Sequence, residues 1–192
     1  MIAILKYNAG NISSVTNAVT KLGYDSRVTD SIDELSGSSK IIIPGVGEAD
    51  SAMNWLRGKG LDKIIPKLKQ PVLGICLGLQ LLCRYSEEGN TECLGIFDQV
   101  VRKLPPLDKV PHMGWDNFEW LSGDLFKGLS ASADVYYVHS FFTEISVYTT
   151  AVCNYILPFS AAMQKENFYA TQFHPEKSAD VGARILKNFL EL

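Results

Sequence analysis

Three short apolar runs, each followed by turn-forming residues and then a helical pattern, constrain this chain more than any other feature. They are "MIAILKY" (1–7), "KIIIP" (40–44) and "PVLGI" (71–75). Runs of this length and β-branched content read as buried strands. After the first, Asn11 stands where it can cap a helix with Ile12, Val15, Val19 and Leu22 on one side. "SRVT" (26–29) reads as a further short strand. "AMNWLRGKGLDKIIPKL" (52–68) is helical but broken by glycines and Pro66, and "LGLQLLCRY" (77–85) reads as one helix. Strands alternating with helices predict a parallel sheet with helices on its faces.

The second half is different. "IFDQVVRKL", "GWDNFEW", "DVYYVHSFF", "YTTAVCNY", "FSAAMQ" and "FYATQF" are short, β-prone and separated by turns, and predict added strands, some antiparallel. A final helix carries Val181, Ile185, Leu186, Phe189 and Leu190 as its apolar stripe. The expected fold is α/β: an open mixed, mostly parallel sheet flanked by helices. Its 192 residues, 46% hydrophobic and 20% charged, suit a single domain over 1–192.

The formal net charge is −3 and no stretch is strongly basic, so a nucleic-acid surface is not expected. The opening run is too short for the apolar core of a signal peptide, and no run approaches the roughly 20 residues of a membrane span. A cytoplasmic protein is the expectation. The cysteines at 76, 83, 93 and 153 form no CxxC pair and no zinc-like spacing with histidine. Core packing accounts for three of them. Cys83, seven residues after Cys76, is expected on the same helix face.

Cys76 has different neighbours. "GICLG" (74–78) has the form of a nucleophile elbow, with cysteine where serine is usual. Glycines suit a strand-to-helix turn in which backbone passes close to backbone. The turn places the sulfur at a helix N-terminus, where the dipole favours negative charge. Glycines alone leave two readings open, a buried structural thiol or a nucleophile. A nucleophilic cysteine needs a base and a group to orient it. Of His112, His139 and His174, only the last has a carboxylate placed by local geometry. Pro175 biases His174 toward an extended conformation, and residues two apart in an extended segment share a side. Glu176 can then hold one ring nitrogen while the other faces the sulfur. Packing or positioning suits His112 and His139. For a developing oxyanion the donors would be the N–H of Leu77 and a backbone N–H from "PGVG" (44–47). No Lys–Ser/Thr follows that loop, so it is not a phosphate loop. In open sheets sites form at the carboxyl ends of strands, and Cys76, Pro44–Gly47 and His174 each follow a predicted strand there.

"PGVG", "GICLGLQLL", "PHMGW", "YYVHSFF" and "QFHPEKS" together resemble the class I (triad) glutamine amidotransferases, most closely the glutaminase subunit of imidazole glycerol phosphate synthase. The likeness runs from "NAGNISSV" to "GARILKNFLEL". It implies Cys76 as nucleophile, His174 as base and Glu176 as its orienting group, with Val46, Gly47 and Leu77 forming the oxyanion hole. Gln80, Glu88, Ser140 and Phe141 match positions that hold the substrate glutamine. Asn11, Trp115 and Lys177 match positions facing a partner, a cyclase subunit built as a (β/α)8 barrel. The resemblance implies a heterodimer that channels ammonia in histidine biosynthesis, with no metal or organic cofactor. It also implies that the PGVG loop is misaligned until the partner binds its ligand. Related synthases that aminate a surface-polysaccharide sugar, a stand-alone γ-glutamyl hydrolase and a non-enzymatic binding domain would carry similar motifs. Three departures stand out: Asp116 replaces the usual asparagine, "KYNAGN" replaces an opening with an earlier Asp, and the PGVG loop lacks a following aromatic.

Overall fold

The computed structural model describes residues 1–8 and 10–192. In chain order the elements begin β1 (Ile2–Leu5), α1 (Ile12–Lys21), β2 (Ser26–Thr29), α2 (Ile32–Ser36), β3 (Lys40–Ile43), α3 (Ala49–Gly58), β4 (Val72–Ile75) and α4 (Leu77–Leu82). There follow β5 (Cys83–Ser86), β6 (Thr91–Glu92), β7 (Phe97–Lys103), β8 (His112–Asp116), β9 (Trp120–Leu121), β10 (Val135–His139) and β11 (Phe141–Thr143). The chain closes with β12 (Thr149–Tyr155), β13 (Leu157–Lys165), β14 (Phe168–Thr171) and α5 (Ala179–Leu190).

The predicted buried runs pair in parallel. The main sheet has the order β2-β1-β3-β4-β14-β13-β12-β9, parallel from β2 to β14 and antiparallel beyond. Both faces are covered, so the central strands need apolar residues at every position. Ile2 and Ile4 of β1 pack with α1 and α5 on one face; Ala3 and Leu5 pack with α3 and α4 on the other.

Two sequence expectations are corrected. The helix after Cys76 ends at Leu82, and Cys83 opens β5, paired in parallel with β7. Cys83 is therefore not on the helix of Cys76; sheet pairing overrides the helical pattern of "CRY". Of the later strands, β9, β12, β13 and β14 extend the main sheet, in keeping with the expected mixed sheet. β8 and β10 form a separate ribbon, and β11, β7, β5 and β6 form a third sheet. Asn11 is at the head of α1, but its side chain makes no cap bond and donates instead to Glu176 Oε1.

The glycines flanking Cys76 let α4 lie directly on the sheet. A Cβ on Gly78 would collide with the Ile43 carbonyl oxygen, and one on Gly74 would come within 2.7 Å of the Gly78 backbone. Gly78→Ala must therefore push α4 away from β3 and β4. A stability loss of about 3 kcal/mol, or failure to fold, is expected in urea titrations, since overpacking against backbone cannot relax by rotamer change. A loss under roughly 0.5 kcal/mol would contradict this contact.

Candidate active site

Cys76 sits between β4 and α4 with φ 52° and ψ −103°, a conformation that L-residues rarely adopt. Such strain, of order 1–3 kcal/mol, persists where surrounding structure fixes it. Here Cys76 N donates to Thr171 O at 2.7 Å, and Cys76 O accepts from Gln80 N at 3.2 Å. The thiol is 6% exposed and opens onto a cavity of about 300 Å³.

His174 follows β14 in extended conformation, φ −101° and ψ 94°. Its backbone is pinned: His174 N donates to Tyr136 O at 2.9 Å, and Ser178 Oγ donates to His174 O at 2.6 Å. The Nδ1 edge meets Glu176 Oε1 at 2.8 Å, both side chains being fully buried. Nε2 makes no well-aligned hydrogen bond, yet the sulfur of Cys76 lies close enough to act on the ring. Burial pulls the imidazole pKa down, but hydrogen bonding and charge from Cys76 and Glu176 outweigh it and raise it to about 10. That favours imidazolium beside sulfur. Cys76, His174 and Glu176, far apart in sequence, thus form one contiguous group.

The cavity brings the other sequence-predicted groups together. Val46, Gly47, Leu77, Gln80, Glu88, Ser140 and Phe141 all line it alongside Cys76. Gln80 Nε2 donates to Phe141 O at 3.4 Å, and Glu88 Oε2 accepts from Ala49 N at 2.9 Å. Burial, then the charge of Glu48, raises the Glu88 carboxyl above its ordinary range against that hydrogen bond. Of the predicted oxyanion donors, Leu77 N–H already has a partner, and the PGVG loop is tied down through a carbonyl. Leu77 N points to Gly45 O at 3.4 Å, and Val46 O accepts from Gly10 N at 3.1 Å. Trp115, Lys177 and Asn11 stand outside the cavity. Trp115 is 55% exposed and packs edge-on to Tyr136, with ring centroids 5.9 Å apart. Lys177 Nζ lies 5.9 Å over the same Tyr136 ring. Among the described residues, no group of three or more His, Cys, Asp or Glu side chains is arranged to hold a metal ion.

The family model for class-I glutamine amidotransferases matches residues 4–192. The chain belongs to this family. It is 54% identical to a protein of Bacteroides fragilis strain YCH46 named imidazole glycerol phosphate synthase subunit HisH, covering 100% of this chain and 99% of that one. A protein of the same name from Escherichia coli strain K12 is 44% identical, again over 100% of this chain and 99% of its relative. Among solved structures, a glutamine amidotransferase superposes with a TM-score of 0.78 at 18% identity, over 99% of this chain and 97% of that one. A glutamine amidotransferase of Thermotoga maritima gives 0.66 at 19% identity, over 99% and 80%. At these identities the structures attest the fold alone.

Sequence reasoning missed three features of this class-I amidotransferase. Tyr7, buried at the end of β1, donates from its hydroxyl to Pro44 O beneath the PGVG loop. Burial, and then the charge of Cys76, holds its phenol well above the ordinary range, so it remains a donor. Parallel pairing of β1 with β3 was the available signal, because it sets the residues after Leu5 beside those after Ile43. Gln172 Nε2 reaches Cys76 Sγ at 3.6 Å. Finally, His112 and His139 form a buried chain rather than two isolated packing residues. His139 Nδ1 meets Phe141 O at 2.8 Å, His139 Nε2 meets His112 Nδ1 at 3.1 Å, and His112 Nε2 lies 3.5 Å from Asp116 Oδ2. A carbonyl only accepts, so His139 carries its proton on Nδ1 and accepts from His112.

Burial, then the neighbouring His112, pushes the His139 pKa down to about 3, against the bond to Phe141 O. The unfolded chain takes up this proton near pH 6.5 while the folded chain refuses it until about pH 3. The contribution to stability is whole above 6.5 and is lost as pH falls toward 3. Between pH 6 and pH 4, wild type should lose roughly 2 kcal/mol more than His139→Gln, which keeps a donor but does not titrate. Urea denaturation at both pH values checks this; parallel losses would contradict it.

Proposed function

We propose that this chain is the glutaminase subunit of an imidazole glycerol phosphate synthase, acting as one domain over residues 1–192. The observation that carries the reading is full-length similarity to subunits of that name, 54% and 44% identical in the two relatives described. The geometry supports the same reading: a buried cysteine–histidine–carboxylate group opens onto a cavity lined by every residue assigned to the substrate. We place the protein in the cytoplasm, with L-glutamine as substrate and no nucleic-acid partner. Among the described residues, no helix is long and apolar enough to cross a membrane.

In the proposed mechanism the Cys76 sulfur attacks the side-chain amide carbon of glutamine. His174, as imidazolium, gives its proton to the departing nitrogen and releases ammonia. Glu176 orients the ring through Nδ1. Water, deprotonated by the now neutral His174, attacks the thioester; glutamate leaves and the sulfur is restored. Leu77 N–H and a backbone N–H of the Val46–Gly47 turn receive the developing oxyanion. Gln80, Glu88 and the Ser140–Phe141 backbone hold the glutamine.

Ammonia would then pass to a cyclase subunit with a (β/α)8 barrel, yielding imidazole glycerol phosphate and an aminoimidazole carboxamide ribotide. The docking face we assign contains Trp115, Lys177 and Asn11. Met113, 55% exposed, projects from the same side of β8 as Trp115. Asn11 also touches Glu176, so movement at the docking face reaches the base through the carboxylate that orients it.

The contacts of the PGVG loop support a low resting activity. Substrate oxygen must displace Gly45 O from Leu77 N–H before that donor serves the oxyanion. Glutaminase turnover by the isolated chain is therefore expected to be negligible and to rise by at least about 100-fold in the complex with cyclase ligand bound, one oxyanion donor being worth that much. Vigorous ammonia release without any cyclase would instead indicate a stand-alone hydrolase. In the complex, Cys76→Ala should abolish glutamine-dependent synthesis and leave ammonia-driven synthesis intact. Loss of both would assign Cys76 a structural role. Rescue of a histidine auxotroph lacking its own glutaminase subunit separates this pathway from sugar amination.

A further inference from the structure

The motif "QFHPE" contributes His174 and Glu176 to the proposed mechanism, but its first residue has no part in it. Gln172 lies one residue past β14, in parallel register with β4, where Thr171 pairs with Ile75. The position after Thr171 is therefore beside Cys76. Residues two apart in an extended segment share a side. Gln172 and His174 thus approach the sulfur from one strand, and Thr171 and Phe173 face away.

The Gln172 side chain is 0% exposed, and its Oε1 has no hydrogen-bond partner among the described residues. Its Nε2 makes one contact there, to Cys76 Sγ at 3.6 Å. A buried amide with an unpaired oxygen is a destabilising choice where an aliphatic side chain would pack without penalty. Among the described residues, the sulfur is the only group this amide serves. The third polar neighbour of the sulfur, Val138 O at 3.8 Å, is an acceptor and suits only the protonated thiol.

We propose that Gln172 is a further catalytic residue, whose Nε2–H donates to the anionic sulfur of Cys76. The bond is made when sulfur is the attacking thiolate. It weakens as the sulfur electron pair forms the bond to the amide carbon. It is remade when the thioester's tetrahedral adduct collapses, the C–S bond breaks and the electron pair returns to sulfur. Hydrogen bonds to charged groups are about twice as strong as neutral ones, so the donor acts differentially on the charged state.

The inference rests on the glutaminase reading for its kinetic consequence, but alkylation reads the sulfur independently. In the complex with a cyclase, Gln172→Leu should lower kcat for glutamine about 10- to 100-fold, keep KM within about two-fold and leave ammonia-driven synthesis unchanged. The rate–pH profile of Cys76 alkylation by iodoacetamide should move to higher pH. Unchanged kcat with an unchanged alkylation profile would overturn the proposal. If Gln172→Leu does not fold, Gln172→Glu preserves the shape and replaces the donor by a carboxylate. Its Cys76 should alkylate more slowly than wild type at pH 8, and equal rates would overturn the proposal. Absence of glutaminase activity in the wild-type complex would count against the functional reading and leave the alkylation result to decide the role of Gln172.

Discussion

The site depends on backbone lying against backbone where β4 turns into α4. Gly74 and Gly78 remove the side chains that would hold the helix off the sheet, so the Gly78 backbone rests against the Ile43 carbonyl and Gly74. A helix that close to its own strand cannot be entered through ordinary extended or helical dihedrals. Cys76 takes the strain, with φ 52°, and the sulfur is turned out of the sheet into the cavity. Moving the helix outward by the width of a methyl group would relax that turn and withdraw the sulfur from the Gln172–His174 side of β14.

Parallel register then determines what meets the sulfur. β3, β4 and β14 are neighbours and end at the same edge, so Pro44–Gly47, Cys76 and Gln172–His174 arrive there together. Tyr7, from the end of β1, braces the first of these loops through Pro44 O. The antiparallel additions supply the remaining wall. β8 and β10 form a ribbon carrying His112 and His139, and the turn from β10 to β11 presents Ser140 and Phe141.

Periodicity and glycine placement made much of this readable beforehand. Three buried strands and the elbow at Cys76 follow from local rules, β-branched runs and close approach at Gly74 and Gly78. The expected His174–Glu176 pair forms, but His174 alone is extended, and Pro175–Lys177 is a 3-10 turn that brings the carboxylate back to the ring. What escaped was non-local. "LGLQLLCRY" is helical by pattern, but Cys83 pairs with Phe97 and the helix stops at Leu82. Asn11 has the chemistry of a cap and the position of one, yet its amide goes to Glu176, 165 residues away. His112 and His139 look like two separate packing residues until antiparallel pairing sets them opposite each other. Gln172 sits in plain view in the motif, but its role needs the register of β14 against β4.

The interior treats its histidines in opposite ways, and the reason is who faces each ring. His174 is completely buried, which alone would keep it neutral, but sulfur on one side and Glu176 on the other reverse the outcome and hold it protonated up to about pH 10. For His139, burial and the neighbouring His112 outweigh the bond to the Phe141 carbonyl, and it stays neutral down to about pH 3. His139 lines the cavity and His174 adjoins the sulfur, so exchanging their states would place a neutral ring beside Cys76 and a cation against the Ser140–Phe141 turn. Separation of titrating groups by environment assigns acid and base roles in the absence of any difference in side-chain type. Asp116 adds a carboxylate at the far end of the His112–His139 chain. His112 nonetheless stays below its ordinary pKa, because burial outweighs that charge. The positive charge is thereby confined to His174, the ring that touches the sulfur.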